Sequence, residues 1–315
     1  MLRFLRIFVA ALVVIGAGLL AHPGQAQNPP AIIFESMMDT YFDDKSGLIS
    51  FSAYDVAFAP QGKAKAMVGV VDAKGKVIAK FPFYPDYKVR NGVFGRIQVK
   101  VPADVKLTKP GRYALVFVMN DKAISRLPFS LMQTGAGKDP FNPAKAYAFD
   151  GLWRRLGYIV AGGSKAKPIP DIWVWLGGLD MATPAKFQEY FFAELVRGGK
   201  VVAHSKRRTA FFSGGHFKRR KFNLFRPHPI KKEPNAVLFT MKDLLADGDY
   251  ELRITRRTDK KLIRNFRISV AQGKLRTIRR TELGYKPAIN YIVPRVTRKG
   301  STAYEFVEAT WIVGK

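Results

Sequence analysis

The chain has 315 residues, a formal net charge of +29, 47 % apolar and 13 % aromatic residues, and no cysteine. That apolar content excludes a disordered chain and is enough for two domains with their own cores. The missing cysteine excludes disulfides, a lipid-bearing cysteine and thiol chemistry, and the lopsided charge points to an anionic surface or polymer as partner.

Residues 1–26 read as a secretory signal peptide. Arg3 and Arg6 supply the charged start, Ile7–Leu20 is an uncharged apolar run, Pro23 breaks a helix, and Gly24-Gln25-Ala26 offers small residues at a cleavage site. The apolar run is too short for a good membrane span, and no later run is longer. An uncleaved N-terminal anchor is the rival. The expected location is the periplasm or the extracellular space, and the protein is not expected to be integral to a membrane.

From residue 27 onward the chain reads as strands almost throughout. Ile49–Val56, Ile97–Val101, Tyr250–Ile254 and Phe266–Val270 alternate apolar and polar residues at period two. Gly75 and Gly198-Gly199 sit between apolar runs, where hairpin turns need them. Met241–Leu245 is long enough for one helical turn.

Two stretches look like copies. Gly111-Arg112-Tyr113-Ala114-Leu115 is followed by Phe129-Ser130-Leu131, and Gly248-Asp249-Tyr250-Glu251-Leu252 by Phe266-Arg267-Ile268, with the same Tyr-to-Phe interval. Upstream, Gly75-Lys76-Val77 matches Gly199-Lys200-Val201. To keep Leu252 and Phe266 on one buried face, the second copy must pair Leu252 with Phe266 and Glu251 with Arg267. The same register in the first copy pairs Leu115 with Phe129.

Each tyrosine follows a loop and stands two residues after a glycine. This resembles the tyrosine corner of immunoglobulin-like and fibronectin type III-like sandwiches, at the start of the penultimate strand. The resemblance implies fold and no activity, and the cysteine pair of antibody domains is missing. The expected fold is all-β, with two tandem immunoglobulin-like β-sandwich domains after the signal peptide. The first covers 27–134, a Gly- and Pro-rich linker 135–146, and the second, strongly basic domain 147–273. A C-terminal β extension, 274–315, packs on the second domain and holds one more hairpin around Arg298–Ser301.

Charge divides unevenly. Residues 27–150 hold 17 Lys/Arg and 11 Asp/Glu, whereas residues 151–315 hold 34 and 13. The second copy is also longer between its two marker glycines, and the added residues fall within His204–Asn235. Lys206–Lys232 contains Lys206, Arg207, Arg208, Lys218, Arg219, Arg220, Lys221, Arg226, Lys231 and Lys232, and no carboxylate. Phe217 and Phe222 lie among them. Cations neutralise phosphate or carboxylate, and rings stack on bases or sugar faces, so these residues are the candidate polyanion-binding and stacking set. The competing reading is a plain strand pair with Phe inward and cations outward.

Other chemistry finds little support. His204, His216 and His228 have cationic neighbours that repel a metal dication. Asp39, Asp43 and Asp44 lack the spacing of a calcium loop, and Lys45 sits inside the stretch. Trp173 and Trp175 share one strand face and read as core rather than a sugar platform. No nucleophile elbow, P-loop or dinucleotide fingerprint is present, and Ser213-Gly214-Gly215-His216 has no nearby acid. The sequence therefore predicts no catalytic residues, metal or cofactor. It points to a non-catalytic exported binding or scaffolding protein whose basic second domain contacts lipopolysaccharide, acidic polysaccharide or nucleic acid. The alternatives are a periplasmic module that pairs an edge strand with a protein partner, or an accessory domain pair of an envelope enzyme system.

Overall fold

The computed structural model describes residues 30–34, 40–43, 46–58, 64–84, 94–100, 105–134, 146–177, 180, 188–206, 210–213, 218–227, 237–276, 295–299 and 304–314. The expected signal peptide and most of the expected linker lie outside these residues. The chain is all-β as expected. Its first strands are β1 (Ala31–Ile32), β2 (Thr40–Asp43), β3 (Leu48–Phe51), β4 (Ala53–Ala57), β5 (Ala66–Asp72) and β6 (Val77–Tyr84). They are followed by β7 (Phe94–Val99), β8 (Val105–Lys106), β9 (Gly111–Met119), β10 (Lys122–Thr134) and β11 (Ala146–Gly151). A 3-10 turn at Leu152–Arg154 leads into β12 (Leu156–Ser164), β13 (Lys167–Leu176), β14 (Gln188–Arg197) and β15 (Lys200–Ser205). Next come β16 (Ala210–Ser213), β17 (Lys218–Phe225), the helical turn α1 (Met241–Leu244), β18 (Gly248–Arg256) and β19 (Leu262–Ala271). The last are β20 (Lys274–Leu275), β21 (Arg295–Lys299), β22 (Tyr304–Glu308) and β23 (Thr310–Gly314).

The two units are threaded alike. The first sheet runs β1-β4-β7-β6-β5-β9-β10-β11, and the second runs β12-β13-β17-β15-β14-β18-β19-β23, all antiparallel. Numbering the eight strands of each unit in chain order gives the same spatial order for both, 1-2-5-4-3-6-7-8. The difference lies at the ends. In the second unit β23 pairs with both β19 and β12, so the sheet closes into an eight-stranded barrel. In the first, no pairing joins β1 to β11 among the described residues, and the sheet is a half-barrel.

The structure thus departs from the expected two-sheet sandwiches. The reason is visible in the hairpins. Gly198 and Gly199 both have positive φ, 53° and 76°, and pair Arg197 with Lys200 across a two-residue turn. That turn keeps β14 and β15 hydrogen-bonded, so the two sheets of a sandwich become one continuous ladder. The expected domain boundaries shift too. β11, which includes Tyr147, is the eighth strand of the first unit, and the C-terminal segment supplies β23, a wall of the barrel rather than an appendage. The C-terminal hairpin exists, with Lys299 opposite Tyr304.

Register follows the sequence closely in one copy. Leu252 pairs with Phe266 and Glu251 with Arg267, the expected register. In the first copy Leu115 pairs with Leu127, and Tyr113 with Phe129, two residues from the expected register. Asn120 and Asp121 take the turn with φ of 49° and 62°, and a bulge between Ala123 and Ser125 absorbs the extra length. An even shift leaves every side chain on its expected face, which is why the apolar pattern could not detect it. Both tyrosines make the same bond: the Tyr113 hydroxyl donates to the Lys109 carbonyl (2.6 Å) and the Tyr250 hydroxyl to the Ala246 carbonyl (2.9 Å).

The barrel interior is packed. Ile172, Val174, Phe191, Leu195, Phe222, Leu252, Ile254, Phe266, Ile268 and Ile312 meet in one buried cluster, as eight strands leave room for side chains and little else. At one end α1 caps the barrel with Leu244, set by a capping box between Thr240 and Asp243. The outer wall at β18 and β19 carries Glu251, Arg253, Arg267 and Ser269, the reverse of a membrane barrel's apolar exterior. No helix among the described residues is long and apolar enough to cross a membrane.

The half-barrel is completed by its neighbour. Tyr158 on β12, Trp175 on β13 and Trp311 on β23 point outward from the barrel and join Phe34, Phe149 and Trp153 in the core of the first unit. Trp175 and Trp311 lie nearly parallel, ring centroids 6.2 Å apart, with Phe34 edge-on to both. Trp175 is core, as expected, but in the core shared between the units.

Candidate anion-binding site

The basic segment divides between two faces. On β17 the inward set is Arg220, Phe222 and Leu224, because Ile172 pairs with Phe222 and Val174 with Arg220. Phe222 is fully buried in the barrel core, so its ring presents no surface for stacking. Arg220 is half-buried, and burial lowers its pKa. Arg219 and Lys221 face outward. The Arg219 guanidinium lies 4.4 Å from the Trp173 ring centre and donates to the Tyr158 hydroxyl. Lys221 Nζ pairs with Asp171 at 2.7 Å.

The remaining members are scattered. Arg226 holds Asp243 through Nε and Nη2. Lys206 is exposed beside the Phe225 ring. Lys218 opens β17. Arg207, Arg208, Lys231, Lys232 and Phe217 lie outside the described residues, as do His216, His228, Asp39 and Asp44. β16 occupies part of the added length and pairs with β14 outside the barrel ladder. His204 Nδ1 lies 3.0 Å from the Ser205 carbonyl, and the Ser46 hydroxyl donates to Asp43. No metal-ligating cluster occurs among the described residues.

Arg226 and Asp243 carry a pH signature. Burial raises the Asp243 pKa, but the Thr240 backbone and hydroxyl and the Arg226 guanidinium outweigh it, so the carboxyl stays below its usual range. The cap is therefore fully formed above the unfolded-state carboxyl pKa and is lost as pH falls through the lower folded value. Amide exchange at Leu244 and Leu245 should accelerate across that acid window relative to the strands, and Asp243→Asn should flatten the pH dependence. Unchanged exchange down to the acid limit of folding would contradict it.

Basic surface is not confined to the added segment. Among the described residues of the first unit, nine exposed Lys and Arg face one exposed carboxylate, Asp121. In residues 146–276 fourteen exposed Lys and Arg face Asp247, Asp249 and Asp259. Among the described residues exposed cations outnumber exposed carboxylates in both units. Asp55 of the first unit is buried against Arg96, so it does not offset the exposed cations.

A further concentration of cations lies where the two units meet. A cleft of about 500 Å³ is lined by Arg112 and Tyr113 of β9, Pro128 to Ser130 of β10, Asp150 and Gly151 of β11, Arg154 and Arg155 after it, and Ile263 and Arg264 of β19. Four guanidiniums line it against one carboxylate. Arg264 is 4 % exposed and enters from the barrel end, because Ile254 pairs with Arg264 and both face inward. Behind it the fully buried Asp180 accepts the Gly177 N–H (2.8 Å), pairs with Arg264, and stands 3.6 Å from Arg154. Burial lowers the Arg264 pKa, and Asp180 is the main opposing influence. The neighbouring Arg256 donates to the Asp180 carbonyl (2.8 Å) and holds Asp259 by two bonds, keeping the Asp259 carboxyl down at about 2.

Glycine is required on the floor. A Cβ at Gly151 would come within 2.8 Å of the Trp153 ring. Tyr113 and Phe129 stack beside it, centroids 5.6 Å apart at 22°. Sequence reasoning missed this cleft. Its arginines come from positions 112, 154, 155 and 264, and no local spacing connects them. No family model, curated protein or solved structure matches the chain.

Proposed function

We propose that this chain is a non-catalytic, exported binding or scaffolding protein that contacts an anionic polymer or envelope surface. The observation that carries the reading is the exposed charge: cations outnumber carboxylates on the described surface of both units. Such a surface attracts a polyanion by counterion release and needs no single loop. The added basic segment is one contributor, and several of its described cations are already engaged by Trp173, Asp171 and Asp243.

The same reading covers the fold. The shared order 1-2-5-4-3-6-7 is that of an immunoglobulin constant-type sandwich, strands A-B-E-D followed by C-F-G. In that order the corner tyrosine belongs on strand F, where Tyr113 and Tyr250 stand as the sixth strands of their units. We take both units as immunoglobulin-like modules whose two sheets have merged through the third and fourth strands. Two sandwich-derived modules sharing one core suit a rigid scaffold.

Binding to immobilised heparin tests the function. Affinity should fall by about a hundredfold or more between 50 and 200 mM salt if several contacts form, with a log–log slope of several units. Charge removal at Arg219 and Lys221 should lower that slope by about one unit or less, because both have partners within the fold. Salt-independent retention, or none at low salt, overturns the reading.

A further inference from the structure

The interdomain cleft differs from the rest of the basic surface in being built. Its arginines are held in place from behind: Arg264 by Asp180 and the Ile263 carbonyl, Arg154 by Asp180 and Asp150 at 3.6 Å each. The Nε atoms of Arg154 and Arg264 are sealed from solvent, so a ligand meets these two arginines at the parts that line the cleft, and the exposed Arg112 and Arg155 supply further donors. The fork of an arginine matches phosphate and carboxylate in a bidentate fashion.

The surroundings narrow the ligand. With Arg112 and Arg155 exposed at the rim, Asp150 in the lining and Asp180 paired with Arg264 behind it, the cleft carries an excess of about two positive charges. That favours a dianion over a monoanion. Pro128, Phe129 and Ile263 line the same space and give it an apolar flank. We propose that this cleft is a binding site for a small phosphate monoester, with the phosphate on Arg154, Arg155, Arg264 and Arg112 and the organic group along Pro128 and Phe129. Asp150 competes with the ligand for Arg154. The site does not require the polymer-binding reading, since it needs one small dianion and no extended chain.

Titration calorimetry of the full mature chain at low ionic strength tests this, with phenyl phosphate, inorganic phosphate and phenol as probes. Phenyl phosphate should bind saturably and about tenfold more tightly than inorganic phosphate, and phenol should give no heat. The double variant Arg112→Ala/Arg155→Ala, at two exposed positions, should weaken both anions at least about tenfold. Asp150→Asn should tighten them about threefold, an effect that a purely structural Asp150 would not produce. Heparin retention measured in parallel separates this site from the general surface, since either can fail alone. No saturable binding of either phosphate, equal affinity of the two, or affinity unchanged in the double variant would overturn the proposal.

Discussion

Asp180→Ala is expected to destabilise the protein by about 3–5 kcal/mol, read from urea denaturation followed by tryptophan fluorescence. Asp180 is 0 % exposed, and its carboxylate is the anion paired with Arg264, which is itself nearly sealed from water. Removing it leaves a guanidinium inside the barrel end with no counter-charge, and the Gly177 N–H loses its acceptor. The cost comes from stranding a charge, more than from losing an attraction. The double variant Asp180→Ala/Arg264→Met should therefore recover a large part of the loss, because exchanging a buried ion pair for apolar groups is often near neutral. A single variant that loses less than about 1 kcal/mol, or a double variant less stable than the single, would contradict this account of the barrel end.

The second large effect is expected at Trp311→Ala, about 3–5 kcal/mol by the same measurement. Trp311 is 2 % exposed and packs on Trp175, Tyr158 and Phe34. It stands on the barrel's outer wall but in the core of the half-barrel. Its loss should open a cavity between the units, and both should unfold in one shifted transition. Two separate transitions with only one displaced would show that the shared core does not couple the units.

The reason the first unit can stay open follows from the same residues. A half-barrel exposes an apolar interior along the gap between its first and last strands. Here Tyr158, Trp175 and Trp311 fill that gap, so β1 and β11 need not pair. In the second unit β23 closes the ladder instead.

Much of this was legible from residue order. Alternation at period two set which residues face inward on β18 and β19, and the pairing of Leu252 with Phe266 is one of the registers that it allows. The doubled Gly-x-Tyr pattern marked two related units; the structure gives both one threading, and each tyrosine hydroxyl donates to the carbonyl four residues before it. The sequence also marked Met241–Leu245 as long enough for one helical turn, and α1 forms there. The first-copy register was not legible, because a two-residue slip preserves faces and only the turn at Asn120-Asp121 decides it.

The candidate sites divide in the same way. The basic segment could be seen in the sequence because its cations are contiguous, but contiguity on a strand sends neighbours to opposite faces, as Arg219 and Arg220 show. Local periodicity, glycine placement and apolar spacing are short-range properties, so amino-acid order alone determined the all-β class, the doubling and the identity of the core. Whether each ladder closes, which core Trp175 and Trp311 join, and which four arginines line the cleft are decided by contacts between residues far apart in the chain. Those contacts depend on how two curved sheets pack and which unpaired edges they leave, and only the tertiary structure sets that.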